Sequence, residues 1–148
     1  MSLQLLKKLT STDNSLSALV LRAPTGLILM AHGAQKLFGW FGGYGLEGTG
    51  QFMSSLGLDP GYLMALLAGS AEFFGGLALL IGLLTRPAAA VVAFTMLIAI
   101  FSVHITHGLF IANGGYEYAL SLFVVAAAIA IQGAGRFSVD KAIQSKLS

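Results

Sequence analysis

Four long apolar stretches divide this chain of 148 residues, and they limit its fold more than any other feature. They cover residues 23–41, 62–84, 88–108 and 116–131. A helix needs about 20 mostly apolar residues to cross the hydrocarbon core of a bilayer. Only helices and closed barrels satisfy their backbone amides inside that core. We therefore expect a single all-α domain, an integral membrane bundle of four transmembrane helices.

The composition also favours a bilayer. Hydrophobic residues make up 56% of the chain and charged residues 9%, whereas soluble domains carry about 25% charged residues. A soluble chain of this length could not bury so much apolar surface. The chain has no cysteine, which excludes disulfides, thiolate metal sites and thiol catalysis. Its basic residues do not cluster, so we predict no nucleic-acid partner.

The basic residues predict how the chain crosses the membrane, because Lys and Arg concentrate in cytoplasmic loops. With both ends of the chain inside, every Lys and Arg except Lys36 lies on the cytoplasmic side. This N-in, C-in topology makes Arg22 and Arg86 cytoplasmic boundary anchors and residues 136–148 a polar cytoplasmic tail. The first apolar stretch has no cleavage site for a signal peptide, so we interpret it as a permanent helix.

The first outer loop is long and contains a predicted short interfacial helix. Thr49 would cap the start of this helix, and Gly57 would end it. Phe52, Met53 and Leu56 would form its apolar face. The segment is either a lid on the bundle or a plain amphipathic connector.

Ionisable and polar side chains within or beside the apolar stretches are the best indication of function. Charged groups in hydrocarbon are costly and usually face the interior of a bundle. In the predicted topology these side chains all lie in the outer half of the bundle, and the inner half is almost purely apolar. The set comprises His32, Gln35, Lys36, Glu72, His104, His107 and Glu117. This asymmetry predicts an outer polar pocket.

Several of these residues also have a structural explanation. Lys36 could extend to the outer headgroups, and His107 could lie at the membrane interface. Glu117 could complement the dipole of a helix N-terminus. A pair of Glu72 with Lys36 or a histidine could fix the helix register without any chemistry.

A quinone site is the first functional hypothesis. Lys36 and His104 would hold the carbonyl oxygens of the quinone, and Glu72 would be a buried acid. His32 would be a second proton carrier, because imidazole titrates near neutral pH. Gln35 beside Lys36 and Glu117 at the mouth would complete the ligand-binding set.

Two other functions are compatible with the same residues. His32, His104, His107 and Glu72 could hold a metal ion or haem, although no HExxH pattern supports such a site. Alternatively the chain is a non-catalytic anchor or scaffold for a soluble oxidoreductase, or a transporter subunit. The polar residues would then be structural.

Five motifs follow one another along the chain: RAPTGLILMAHGAQKL (22–37), EFFGG (72–76), GLLTR (82–86), GYEYA (115–119) and GAGRFSVD (133–140). In this order they resemble the DoxX family of small bacterial four-helix membrane proteins. The resemblance implies a cytoplasmic-membrane protein linked to quinone-dependent redox or to quinone, thiol and oxidative stress. The expected partners are the lipid bilayer, a soluble or membrane oxidoreductase, and a second copy of the chain in a homo-oligomer. The family pattern has no agreed catalytic residues.

Overall fold

The computed structural model describes residues 3–147, and these residues form helices and turns with no β-strand. The α-helices are α1 (Leu3–Leu9), α2 (Leu16–Phe38), α3 (Gly45–Ser55), α4 (Gly61–Ile81), α5 (Thr85–Ala99), α6 (Glu117–Gln132) and α7 (Val139–Leu147). The predicted all-α fold class is confirmed.

Within residues 3–147, three helical segments are long and apolar enough to cross a membrane. They are α2, α4 and the segment Thr85–His107, which begins with α5. Helix α6 is apolar but has only 16 residues. Sixteen residues of α-helix are about 24 Å long, and the hydrocarbon core is about 30 Å thick. A fourth membrane span therefore stays a prediction.

The four longest helices pack side by side into a bundle. Helix α4 packs mainly on α2 and also contacts α5, while α6 contacts both α5 and α2. The buried core between them is made of aliphatic side chains and methionine, among them Leu29, Leu79, Val92, Met96, Leu122 and Ile129. The short helix α3 lies on α4 and α2.

Glycines bring α2 and α4 unusually close together. A Cβ atom on Gly33 would lie 2.4 Å from the backbone nitrogen of Phe73, and one on Gly26 would lie 2.5 Å from the carbonyl oxygen of Gly76. Small residues allow this kind of backbone contact between membrane helices. The close approach places the side chains of α2 directly against α4.

The first long helix starts earlier than the sequence predicts. It begins at Leu16, after the Ser15 side chain accepts a hydrogen bond from the backbone N–H of Ser17. Arg22 and Pro24 therefore lie inside α2 and do not mark its start. The hydroxyl of Ser15 provides an N-cap that the apolar pattern does not reveal.

The third apolar stretch is not one regular α-helix. Helix α5 continues through a π-helical turn at Ile100–His104 and a 3-10 turn at Ile105–His107. A π-helical turn contains an extra residue and rotates the following side chains, and such turns are frequent at functional sites. His104 is the last residue of this π-helical turn.

The two ends of the bundle have different structures. At the arginine end, α2 and α5 begin, α4 and α6 finish, and α7 packs against the turn before α5. At the loop end, residues 39–60 and 105–116 connect the helices and include α3. At the arginine end, charged side chains hydrogen-bond to backbone groups that the helix ends leave without a partner.

Arg22 is fully buried, which corrects the prediction that it is a boundary anchor. Its guanidinium donates five hydrogen bonds to carbonyl oxygens. The acceptors are Leu79 and Leu80 at the end of α4, and Ala134, Arg136 and Phe137 after α6. The last carbonyls of a helix have no partner within the helix. Arginine has enough donors to satisfy several of them at once.

Arg86 and Asp140 satisfy two further helix ends. Arg86 donates to the carbonyl oxygens of Ala130, Ile131 and Gln132 at the end of α6, and to that of Ser11. The buried Asp140 carboxylate accepts the backbone N–H groups of Leu84 and Thr85, where α5 begins. The predicted polar tail is therefore docked on the bundle through α7.

Candidate functional site

A cavity of about 1520 Å³ runs along the bundle. It is lined mainly by α4 and α5 and receives side chains from α2, α3 and α6; we name it the α4–α5 groove. Leu67, Phe74, Val91, Phe94 and Ile98 lie along it, and all five are exposed on the bundle surface. The groove is therefore open towards the surroundings of the apolar helices.

Lys36 and Glu72 form an ion pair in the wall of this groove. The Nζ atom of Lys36 lies 2.7 Å from Oε2 of Glu72. The Glu72 side chain is 6% exposed and that of Lys36 is 25% exposed. The close contact of α2 and α4 brings the two together, one from each helix. The pair neutralises a carboxylate that would otherwise be costly in an apolar bundle.

His32 lies one helical turn before Lys36 and also lines the groove, half-buried. Its imidazole ring packs on the phenol ring of Tyr118, with the ring centroids 5.8 Å apart. Tyr118 comes from the first turn of α6 and lines the groove as well. Tyr118 was not among the predicted site residues, although it lies next to Glu117 in the fourth apolar stretch.

His104 ends the π-helical turn and lines the groove near the loop end. Its Nδ1 atom lies 2.7 Å from the carbonyl oxygen of Gly114. A carbonyl oxygen can only accept, so Nδ1 carries the proton in this hydrogen bond. In the neutral tautomer with the proton on Nδ1, the other ring nitrogen is an acceptor.

Three of the predicted site residues do not line the groove and instead contact backbone groups at the loop end. Gln35 donates to the carbonyl oxygen of Phe41. The Glu117 carboxylate accepts the backbone N–H of Ile111 at 2.7 Å. His107 Nδ1 lies 3.0 Å from the carbonyl oxygen of Val103.

The structure does not support the metal alternative. Within residues 3–147, no three His, Asp or Glu side chains come together closely enough to hold a metal ion. His107 lies outside the groove lining, whereas His32 and His104 contribute to it from different helices. The alternative set of His32, His104, His107 and Glu72 is therefore not carried further.

Helix α3 closes part of the groove with Thr49, Phe52 and Met53. The helix begins at Gly45, so Thr49 lies inside it and is not its N-cap. Thr49 is buried between α3 and the bundle. The position of α3 over the groove favours the lid interpretation over a plain connector.

Together these residues give the groove a polar part with a defined chemistry. We name as the polar half the part lined by His32, Lys36, Glu72, His104 and Tyr118. An ammonium, a phenol and imidazoles can donate hydrogen bonds to carbonyl oxygens. Imidazole and carboxylate groups can also exchange protons with a bound molecule. The remaining lining of the groove is mainly apolar.

The family model described as DoxX matches residues 17–105 of the chain. "Putative oxidoreductase CatD" from Bacillus subtilis (strain 168) is 35% identical over 107 residues, which cover 72% of this chain and 73% of that protein. "Inner membrane protein YqjF" from Escherichia coli (strain K12) is 32% identical over 108 residues, 73% of this chain and 82% of that protein. No solved structure gives a significant match.

Proposed function

The chain belongs to the DoxX family of membrane proteins, and from this premise we propose that it binds a quinone-like molecule in the polar half of the α4–α5 groove. In this proposal the protein is a membrane-embedded subunit of a quinone-linked redox or quinone-stress system. The name of CatD supports redox chemistry, and the name of YqjF supports the bacterial inner membrane.

The Lys36–Glu72 ion pair in the groove wall is the observation that carries this proposal. A quinone presents two carbonyl oxygens and needs hydrogen-bond donors to hold them. An ammonium has three N–H donors, and the short contact with Glu72 uses only one of them. Lys36 can therefore hold a quinone oxygen while Glu72 keeps its ammonium in place.

His32 and Tyr118 surround the same position from the side of α2 and α6. When a partner oxidoreductase delivers two electrons to the quinone, its two oxygens take up two protons. In this proposal the Lys36 ammonium gives one proton and is recharged from the outer side. His32 relays the second proton, because its ring takes up a proton from the outer side at one nitrogen as it gives one from the other. The ionised Glu72 holds Lys36 in place, and Tyr118 provides an aromatic wall and a hydroxyl. His104 would accept a hydrogen bond at Nε2 from the second oxygen once that oxygen carries a proton in the reduced quinol.

The topology belongs to the same proposal. We propose four membrane spans, with the arginine end in the cytoplasm and the loop end outside. The lysines of α1 and α7 support this orientation, because they lie on helices that are close to the arginine end. Positive charge concentrates on the cytoplasmic side of membrane proteins. The polar half then lies in the outer half of the bilayer.

The direct test is extraction of the gently purified protein with organic solvent, followed by mass spectrometry of the extract. We expect near-stoichiometric quinone in the wild type and loss of quinone in Glu72→Gln. Glu117→Gln is the matched control, because Glu117 lies outside the groove lining. It should retain the quinone.

A second variant separates loss of binding from loss of folding. The double variant Lys36→Met/Glu72→Met removes both charges and leaves no unpaired group behind. It should insert and unfold like the wild type and still lack quinone. Equal amounts of lipid and no quinone in all variants would overturn the proposal. A co-purifying oxidoreductase would then favour the anchor or scaffold function.

A further inference from the structure

The α4–α5 groove extends well beyond the polar half. Towards the arginine end its lining contains only apolar residues, and we name this part the apolar half. It is lined by Ala78, Leu83, Leu84, Pro87, Ala88 and Val91. Ala78 lies six residues after Glu72, which is about 9 Å along the axis of α4. The groove is therefore polar near one end and apolar over the remainder.

The size of the groove also exceeds what one aromatic ring can fill. Sites for drug-sized ligands have volumes of about 300–1,000 Å³, and the groove has about 1520 Å³. A quinone ring held at Lys36 would leave the apolar half empty. An apolar group fills such space best, because an empty cavity loses its packing contacts.

Access to the groove differs between its side and its loop end. At the loop end, Phe52 and Met53 of α3 cover it. Along its length, Phe74, Val91 and Phe94 are 58%, 51% and 64% exposed and belong to helices apolar enough to cross a membrane. The lateral opening thus faces the hydrocarbon of the bilayer.

From these three observations we infer that the ligand is a membrane-resident amphiphile whose long apolar chain lies in the apolar half of the groove. Its head group lies at Lys36 and Glu72, and it enters sideways from the lipid between α4 and α5. The inference rests on the proposed quinone site and names its substrate class. A water-soluble, single-ring quinone or catechol would use only part of the groove.

Photolabelling in lipid nanodiscs tests where the chain of the ligand lies. One probe is a quinone with a diazirine at the end of an isoprenoid chain, and a second probe has the diazirine on the quinone ring. We expect the chain probe to label the peptides around Ala78 and residues 87–91. The ring probe should label peptides around Lys36 and Tyr118.

Ala78→Phe fills the apolar half, and Ala90→Phe is the matched control, because Ala90 is exposed on α5 and does not line the groove. Ala78→Phe should lower labelling by the chain probe about tenfold, as expected for an apolar pocket that loses space. Ala90→Phe should leave the labelling unchanged.

Two results would contradict the inference, and they have different meanings. The inference is overturned if the chain probe labels all lipid-facing peptides and Ala78→Phe does not change this labelling. If the ring probe still labels near Lys36 in that case, the quinone site stands. Failure of both probes, together with bound phospholipid only, overturns the quinone site and the inference with it.

Discussion

The Nζ atom of Lys36 lies 2.7 Å from Oε2 of Glu72, and this ion pair joins α2 to α4 inside the wall of an apolar groove. Its position combines two roles, since the same contact fixes two helices and points the remaining N–H groups of Lys36 at the groove. Structural and ligand-binding roles can be separated by experiment.

Removing one partner of the pair should destabilise the protein more than removing both. Lys36→Met leaves a buried carboxylate, and the cost of breaking a buried pair is about 3 kcal/mol or more. Lys36→Met/Glu72→Met should recover most of this loss. Equilibrium unfolding in mixed detergent and denaturing surfactant measures the free energies of unfolding. Equal losses in the single and double variants would show that the pair contributes little.

Even the conservative substitution Arg22→Lys should destabilise the protein. An ammonium has three donors and no planar fork, so it cannot replace the five hydrogen bonds of the guanidinium. We expect a loss of about 3 kcal/mol, because hydrogen bonds to charged groups contribute about 1.5–3 kcal/mol each. Thermal unfolding in detergent measures the effect. Arg136→Lys is the control at an exposed site, and an equal effect there would contradict the prediction.

Asp140→Ala should release α7 from the start of α5. The carboxylate accepts two backbone N–H groups, those of Leu84 and Thr85, and loss of a helix cap costs about 1 kcal/mol. Hydrogen exchange should therefore become faster at these two amides and in α7. Lys141→Ala is the neighbouring control. Unchanged protection of residues 84 and 85 in Asp140→Ala would show that the cap is dispensable.

Gly33→Ala should destabilise the contact between α2 and α4. In an ordinary helix interior this change stabilises by about 1 kcal/mol. Here the new Cβ atom would lie 2.4 Å from the nitrogen of Phe73, so the helices must move apart. We expect a lower unfolding temperature and loss of bound quinone, because Lys36 would move away from Glu72. A higher unfolding temperature would contradict this packing.

The absence of cysteine allows a simple test of the topology. Asn113→Cys and Ser145→Cys place single thiols at exposed positions of the loop end and of α7. In intact spheroplasts, a membrane-impermeant maleimide should label Asn113→Cys at once. It should label Ser145→Cys only after the membrane is permeabilised. The reverse pattern would invert the proposed orientation.

The sequence predicted the all-α membrane fold and brought attention to Lys36, Glu72, His32 and His104, which the structure places in one groove. Hydropathy and helical spacing carry this information because they are local. The prediction that Arg22 is a boundary anchor was wrong, because the carbonyl oxygens that accept its hydrogen bonds lie in distant parts of the chain. The π-helical turn that ends at His104 has no signature in the hydropathy pattern.

The hydrogen bonds of Arg22 also bear on how the protein is made. Arg22 enters the membrane early in synthesis, but three of its five acceptors lie after α6, near the end of the chain. Until the ribosome has delivered that segment, the guanidinium can bond only to Leu79 and Leu80 at the end of α4 and lacks its other three acceptors. Closure of this end of the bundle therefore needs the segment after α6, and a chain that stops before residue 134 leaves three of the five guanidinium donors of Arg22 without these acceptors.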